Sequence, residues 1–171
     1  MRIAFSGTHR TGKTSLLEAV AAQLRSSEVI DEPYDLLEED GYEHADPPTV
    51  DDFQAQLVRS IEALDAAGAD ALFDRCPIDA LAYLQAMGEE LDDDLVDAVR
   101  ESVATLDLIV LVTIESPDRI ALPAHEDAGL RRRMDEAIRA LLVDGDHRFA
   151  PPVLEVSGPL ADRVHQVMRA R

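Results

Sequence analysis

Residues 7 to 14 of the chain read Gly-Thr-His-Arg-Thr-Gly-Lys-Thr, the spacing G-x-x-x-x-G-K-T. Residue types in this order suit one kind of ligand, a chain of phosphates. Gly7 and Gly12 let the backbone turn its amides inward around an anion, and Thr8, His9, Arg10 and Thr11 supply the amides between them. A helix opening at this point, through Ser15, adds the partial positive charge of its N-terminus. Lys13 would reach β- and γ-phosphates, and the Thr14 hydroxyl would take a Mg²⁺ ligand position. Lys13 is the only lysine of the chain; the other cations among the 16 basic residues are arginines. A compact ammonium is kept where a guanidinium is no substitute.

Three further groups are chemically suggestive. Asp31-Glu32-Pro33 closes an apolar run, so its carboxylates can orient an acceptor hydroxyl or hold a metal through water. Their bland alternative is a solvated strand end. Asp74-Arg75-Cys76-Pro77 closes another run, and an acid followed by arginine there can serve Mg²⁺ and a phosphate or hydroxyl together. Cys76 reads as a packing residue. Arg131-Arg132-Arg133 is the one basic cluster. At about 100° per residue the three cannot share one helix face, so one or two of them are expected to reach the site. Closing over phosphates competes with a surface role beside Asp135 and Glu136. Phe53, Gln54 and Gln56 open a long helix; Phe53 belongs to its apolar face, and the Gln54 amide, off that face, can read a nucleobase edge. His9 and Arg10 occupy variable positions of the loop, and Arg10 is as well suited to solvent as to phosphate.

The elements that must position these groups follow from periodicity. Short apolar runs at 3–5, 28–31, 71–73, 108–112 and 153–156 read as strands. The run Leu108 to Val112 is continuous enough for a central parallel strand covered on both faces. Between the runs, apolar residues recur every three or four positions, as in Leu16, Ala19 and Val20, in Phe53, Leu57, Ile61 and Leu64, and in Leu130, Met134, Ala137, Ile138 and Leu141. Thr49 followed by Asp52 looks like a capped helix start. Strands alternating with helices predict an α/β domain with a parallel sheet.

Composition narrows the partners. At 171 residues the chain is long enough for one domain with a proper core. Its formal net charge of −19 repels polyanions, so a nucleic-acid polymer is a poor partner and any phosphate ligand needs a local positive patch. No apolar run approaches the ~20 residues of a membrane span. A single cysteine and no leader-like start suit a cytoplasmic protein. A homodimer is compatible with these features, and the sequence does not set the oligomeric state.

In their order, GTHRTGKT at Gly7 to Thr14, Glu32-Pro33, Phe53-Gln54 and Asp74-Arg75-Cys76 resemble the small-molecule kinase branch of the P-loop NTPases. The likeness is to the nucleoside and nucleotide kinases: deoxynucleoside kinases, thymidylate kinases and nicotinamide-riboside-kinase-like proteins. The resemblance implies a three-layer P-loop fold with a five-stranded parallel sheet of order 2-3-1-4-5. It implies ATP and Mg²⁺, Glu32 acting on the acceptor hydroxyl, and Asp74 and Arg75 assisting metal and acceptor. Gln54 would read the base, and a lid over about 117–134 would bring Arg131 or Arg132 to the phosphates. The stretch from Glu32 to Asp74 is shorter than in typical deoxynucleoside kinases, and Cys76 stands where they have serine. A nucleotide-dependent switch or a regulator without turnover is the other class. The lone lysine excludes the guanine-reading N/T-K-x-D of GTPases, and neither Leu72-Phe73-Asp74-Arg75 nor Val112-Thr113-Ile114-Glu115 fits well the apolar strand ending in Asp-Glu that motor ATPases usually carry.

Overall fold

The computed structural model describes residues 1–115, 127–145 and 147–171. Five parallel strands, β1 (Arg2–Ser6), β2 (Glu28–Ile30), β3 (Ala71–Asp74), β4 (Leu108–Val112) and β5 (Val153–Val156), form one sheet in the order β2-β3-β1-β4-β5. The order is the one the family resemblance implied. Parallel neighbours need crossovers, and helices supply them: α1 (Lys13–Ala21) and α2 (Pro33–Glu39), α3 (Val50–Ala66), α4 (Pro77–Ala86), α5 (Asp93–Val103), α6 (Ala128–Arg139) and α7 (Leu160–Ala170). A π-helical turn, Ala140–Asp144, extends α6 and ends at Gly145 with φ 78°.

Strand periodicity of two divides the core into two layers. Ala4, Phe73, Ile109 and Leu111 face the helices α3 to α6, meeting Leu57, Ile78, Val99, Met134 and Ile138. Ile3, Phe5, Leu72, Val110 and Val112 face the other way, onto Leu16, Val20, Val164 and Val167 of α1 and α7. Each large aliphatic or aromatic side chain so buried contributes roughly 1.5–3 kcal/mol. β1, β3 and β4 are therefore covered on both faces, which is why they read as unbroken apolar runs. β2 and β5 are edges and keep exposed or half-buried positions.

The topology also creates the site. The chain leaves β1 toward β2 and β3 on one side and later crosses to β4 and β5 on the other. The carboxyl end of β1 lies at this switch point, where open parallel sheets hold their ligands. Phe5 is level with Asp74 on one side, and Ser6 is level with Leu111 on the other. Gly7 follows at once with φ 140°, and a Cβ there would stand 2.2 Å from the Val112 carbonyl oxygen. Only glycine lets the loop leave the sheet so close to β4.

Candidate active site

The loop Gly7 to Gly12 joins β1 to α1, with Gly12 as N-cap in the left-handed region (φ 83°). Its carbonyls are held one by one. Arg75 Nη1 donates to Gly7 O at 3.0 Å. Lys13 Nζ and Thr11 Oγ1 donate to Thr8 O at 2.9 and 3.1 Å. Arg131 donates through Nε to His9 O at 3.1 Å and through Nη2 to Arg10 O at 2.9 Å. Arg163 Nη1 donates to Thr11 O at 2.8 Å. Successive backbone amides of such a loop form a concavity that binds anions, although the Gly7 amide is bonded to Asp79 Oδ1 at 3.0 Å.

Lys13 is 5 % exposed. Burial, with the nearby Arg75 charge, pulls its ammonium down to about 8, although Asp74, Asp79 and Glu32 oppose this. A cation held in place at such expense gains when a polyanion arrives. Thr14 Oγ1 donates to Asp74 Oδ2 at 2.6 Å, which brings together the two groups singled out in the sequence as metal ligands. Asp74 Oδ1 is buried and has no hydrogen-bond partner among the described residues. Burial raises this carboxyl above its ordinary value, and Thr14, Lys13 and Arg75 only partly offset it. An unpartnered carboxylate oxygen beside a threonine hydroxyl fits a small hard cation. Among the described residues no cluster of three acidic, His or Cys groups is placed to cage a metal. Mg²⁺ bound here would thus take its other ligands from phosphates and water.

Glu32 is the N-cap residue of α2, fixed by Pro33 in the first turn. Its Oε2 accepts from Arg75 Nε at 2.7 Å. Burial would raise its pKa, but the Arg75 charge and hydrogen bond hold it below the ordinary carboxylate range. Arg75 itself sits at φ 78°, a conformation rare for a side-chain-bearing residue. Its amide is bonded to Phe5 O at 2.9 Å, and its guanidinium lies 5.6 Å from the Tyr83 ring centre. The left-handed backbone turns the side chain back across the loop. Asp31, the other carboxylate of its pair, is exposed.

A cavity of about 530 Å³ opens beside these groups. Glu32, Arg75, His9 and Arg10 line its P-loop side, Tyr34, Phe53 and Tyr83 give it aromatic walls, and Gln56 supplies an amide. Phe53 and Tyr83 stack at 4.5 Å with planes 8° apart, and Tyr83 Oη shares a hydrogen bond with His9 Nδ1 at 3.2 Å.

An AAA domain model matches residues 2–163 of the chain. The chain belongs to the AAA domain family. No curated protein matches it. Solved structures with the same fold include a NadR protein in complex with NAD and AMP-PNP, at a TM-score of 0.68 and 19% identity over 99% of this chain. The chain spans about half of that protein, 48% of its length. Deoxyadenosine kinase from M. mycoides gives a TM-score of 0.67 at 12% identity, covering 99% of this chain and 97% of the kinase. Thymidylate kinase from Candida albicans gives 0.65 at 14% identity, covering 99% and 89%. The nucleoside and nucleotide kinases are thus the structural neighbours of this AAA domain.

Gln54 is exposed and does not line the cavity; Gln56, two residues on, is 8 % exposed and does. Helical geometry explains the exchange, since two residues turn the side chain by about 200°. The arginine run divides as its spacing predicts. Arg131 is buried against the P-loop, Arg132 is exposed, and Arg133 Nε donates to Ala86 O at 3.0 Å at the end of α4. Arg131 braces P-loop carbonyls from outside, so its place in this structure is a support rather than a lid arginine. Of the expected lid, residues 117–126 lie outside the described residues, and the rest is the capped start of α6. Ser15 is exposed on the first turn of α1, and Thr8 and Thr11 are buried.

Two residues of this AAA domain had no role assigned in the sequence. Asp79 is 1 % exposed, and its carboxylate accepts from Ser6 Oγ at 2.6 Å, Gly7 N at 3.0 Å and Cys76 N at 3.1 Å. It ties the start of α4 to the start of the P-loop. Its signal was the acid three residues after the N-cap Cys76. Arg163 on α7 also bonds Gly158 O at 2.7 Å and pairs with Glu115 at 2.9 Å. Nothing local in the sequence marks it, because its partners come from the segment after β4, the turn before α7 and the P-loop.

Proposed function

We propose that the protein is an ATP-dependent kinase of a small molecule, nucleoside-like in kind, working with Mg²⁺. The observation that carries this reading is the position of the cavity. It lies against the P-loop and is bordered by Glu32, where an acceptor could meet a terminal phosphate. A nucleotide-dependent switch or a regulator needs no second cavity there.

The chemistry asked of the residues is positioning and charge neutralisation. Mg²⁺ at Thr14 and Asp74 would supply neutralisation of phosphate charge. The loop amides and Lys13 bind the phosphates of the donor. Glu32 accepts a hydrogen bond from the acceptor hydroxyl and fixes its oxygen in line with the γ-phosphorus. A new O–P bond forms, the bond to the β,γ-bridging oxygen breaks, and the hydroxyl proton passes toward Glu32. The depressed pKa of Glu32 suits a group that orients the hydroxyl and takes its proton late. Arg75 holds Glu32 in place. The acceptor is a small molecule rather than a nucleic-acid polymer, in keeping with the acidic chain.

The test is transfer of γ-labelled phosphate from Mg·ATP to nucleosides, nucleoside monophosphates and hydroxylated antibiotics, with Lys13→Ala as control. A labelled product that vanishes in the variant is expected. Hydrolysis without transfer to any acceptor, or near-wild-type turnover in the variant, would overturn the reading.

A further inference from the structure

Arg163 reaches the P-loop from the face of the sheet that carries α1 and α7, whereas Phe53, Gln56 and Tyr83 of the cavity belong to α3 and α4 on the other face. It is 8 % exposed, and every branch of its guanidinium is engaged. Nε donates to Gly158 O at 2.7 Å, Nη1 donates to Thr11 O at 2.8 Å, and Nη2 pairs with Glu115 Oε1 at 2.9 Å. The same Glu115 oxygen accepts from Gly158 N at 2.5 Å. One buried ion pair therefore holds Gly158 at both its amide and its carbonyl. The turn before α7, the segment after β4 and the end of the P-loop meet at this one side chain. A planar fork suits such a junction, and a single ammonium would not span it.

The bond to Thr11 O bears on ligand binding. The Thr11–Gly12 peptide is trans, so the Thr11 C=O and the Gly12 N–H lie in one plane and point in opposite directions. A held carbonyl thus fixes the direction of the next amide. Gly12 is the N-cap of α1 at φ 83°, immediately before Lys13. Glycine has no Cβ to restrict its φ, so a peptide that ends on glycine rotates easily unless something grips it. Arg163 supplies that grip, and neither Thr11, Gly158 nor Glu115 borders the cavity.

We propose that Arg163 is a positioning residue of the phosphate site: anchored by Glu115 and Gly158, it locks the Thr11–Gly12 peptide so that the Gly12 N–H meets the phosphates of a bound nucleotide. The proposal rests on the phosphate-binding part of the reading above and not on phosphate transfer.

The experiment measures dissociation constants by calorimetry for Mg·ATP and for Mg·tripolyphosphate, which has phosphates and no base, well below the melting temperature of each variant. Arg163→Ala is expected to weaken both ligands by a similar factor, about tenfold or more. Arg163→Lys keeps the charge but not the fork, and should weaken both at least about threefold. Arg169→Ala, an exposed position on the same helix, makes the same change in net charge as Arg163→Ala and should stay within about twofold of the wild type. Should Arg163→Ala fail to fold, Arg163→Lys against the wild type carries the test. A lower melting temperature with unchanged affinity would overturn the proposal, since Arg163 would then be structural only. Weakening of ATP with tripolyphosphate unaffected would also overturn it, as would full recovery in Arg163→Lys or an equal loss in Arg169→Ala. If the wild type bound neither ligand, the phosphate site and this proposal would fall together, whereas intact binding without transfer to any acceptor would remove the kinase reading alone.

Discussion

At the scale of single residues, Lys13 makes the sharpest prediction. Its ordinary value is 10.5, and burial brings it to about 8 in the folded chain. Between those two pH values the unfolded chain holds a proton the folded chain has lost, so this residue's contribution to stability rises with pH across that window. Nucleotide binding runs the other way, because the phosphates need the ammonium. Affinity for ATP is expected to fall by up to about tenfold per pH unit above 8. Binding at pH 8 to 9 should take up protons. Calorimetry in buffers of different ionisation enthalpy checks both, and pH-independent affinity from 7 to 9.5 would refute them. The spacing of Gly12-Lys13-Thr14 told of this chemistry directly, whereas the depressed pKa depends on burial and on Arg75, 62 residues away by number.

At the scale of elements, two helix features can be separated by mutation. Thr49 and Asp52 cap α3, with Asp52 Oδ2 accepting from Thr49 N at 2.6 Å and Thr49 Oγ1 at 2.7 Å. Burial works against the Asp52 carboxylate. The bonds from Thr49, Ala45 and Tyr42 outweigh it and hold its pKa at about 2, against an ordinary 3.8. The stability it contributes is therefore present above about pH 4 and is lost as the pH falls through 2. Asp52→Ala should lower stability by roughly 1–2 kcal/mol at neutral pH and by little at pH 2, as denaturant titration at the two pH values would show. On α6, Arg131→Ala removes the bonds to His9 O and Arg10 O, and nucleotide affinity should drop about tenfold or more. Arg132→Ala, on an exposed position, should change stability by no more than about 0.5 kcal/mol and leave affinity intact. Equal effects of the two would contradict the assignment. The capping pair was visible in the sequence because it spans three residues; the choice of Arg131 over Arg132 was not, since it depends on how α6 is rotated against the P-loop.

At the scale of the whole molecule, a formal charge of −19 makes self-repulsion a standing cost to the folded state. Salt shortens the range of that repulsion from about 10 Å at 0.1 M to about 3 Å at 1 M. The melting temperature should therefore rise between those concentrations of NaCl, and a fall would mean that the surface ion pairs outweigh the repulsion. The P-loop is where this acidic chain concentrates positive charge among the described residues: Lys13, Arg75, Arg131 and Arg163 all donate to its carbonyls.

The sequence by itself determined the P-loop, the five strands and most helices, because each of these is specified by neighbours a few residues apart. The spacing of two glycines, a lysine and a threonine fixes a turn, and periods of two or about four residues fix a strand or a helix face. Tertiary structure decided what surrounds the loop. Arg131 meets His9 across 122 residues and Arg163 meets Thr11 across 152. The substitution of Gln56 for Gln54 at the cavity, and the pairing of Glu32 with Arg75 across 43 residues, were settled in the same way. Such contacts arise when a sheet of fixed order brings distant strand ends and helix faces to one rim, and no local pattern in the chain encodes which side chain will arrive there.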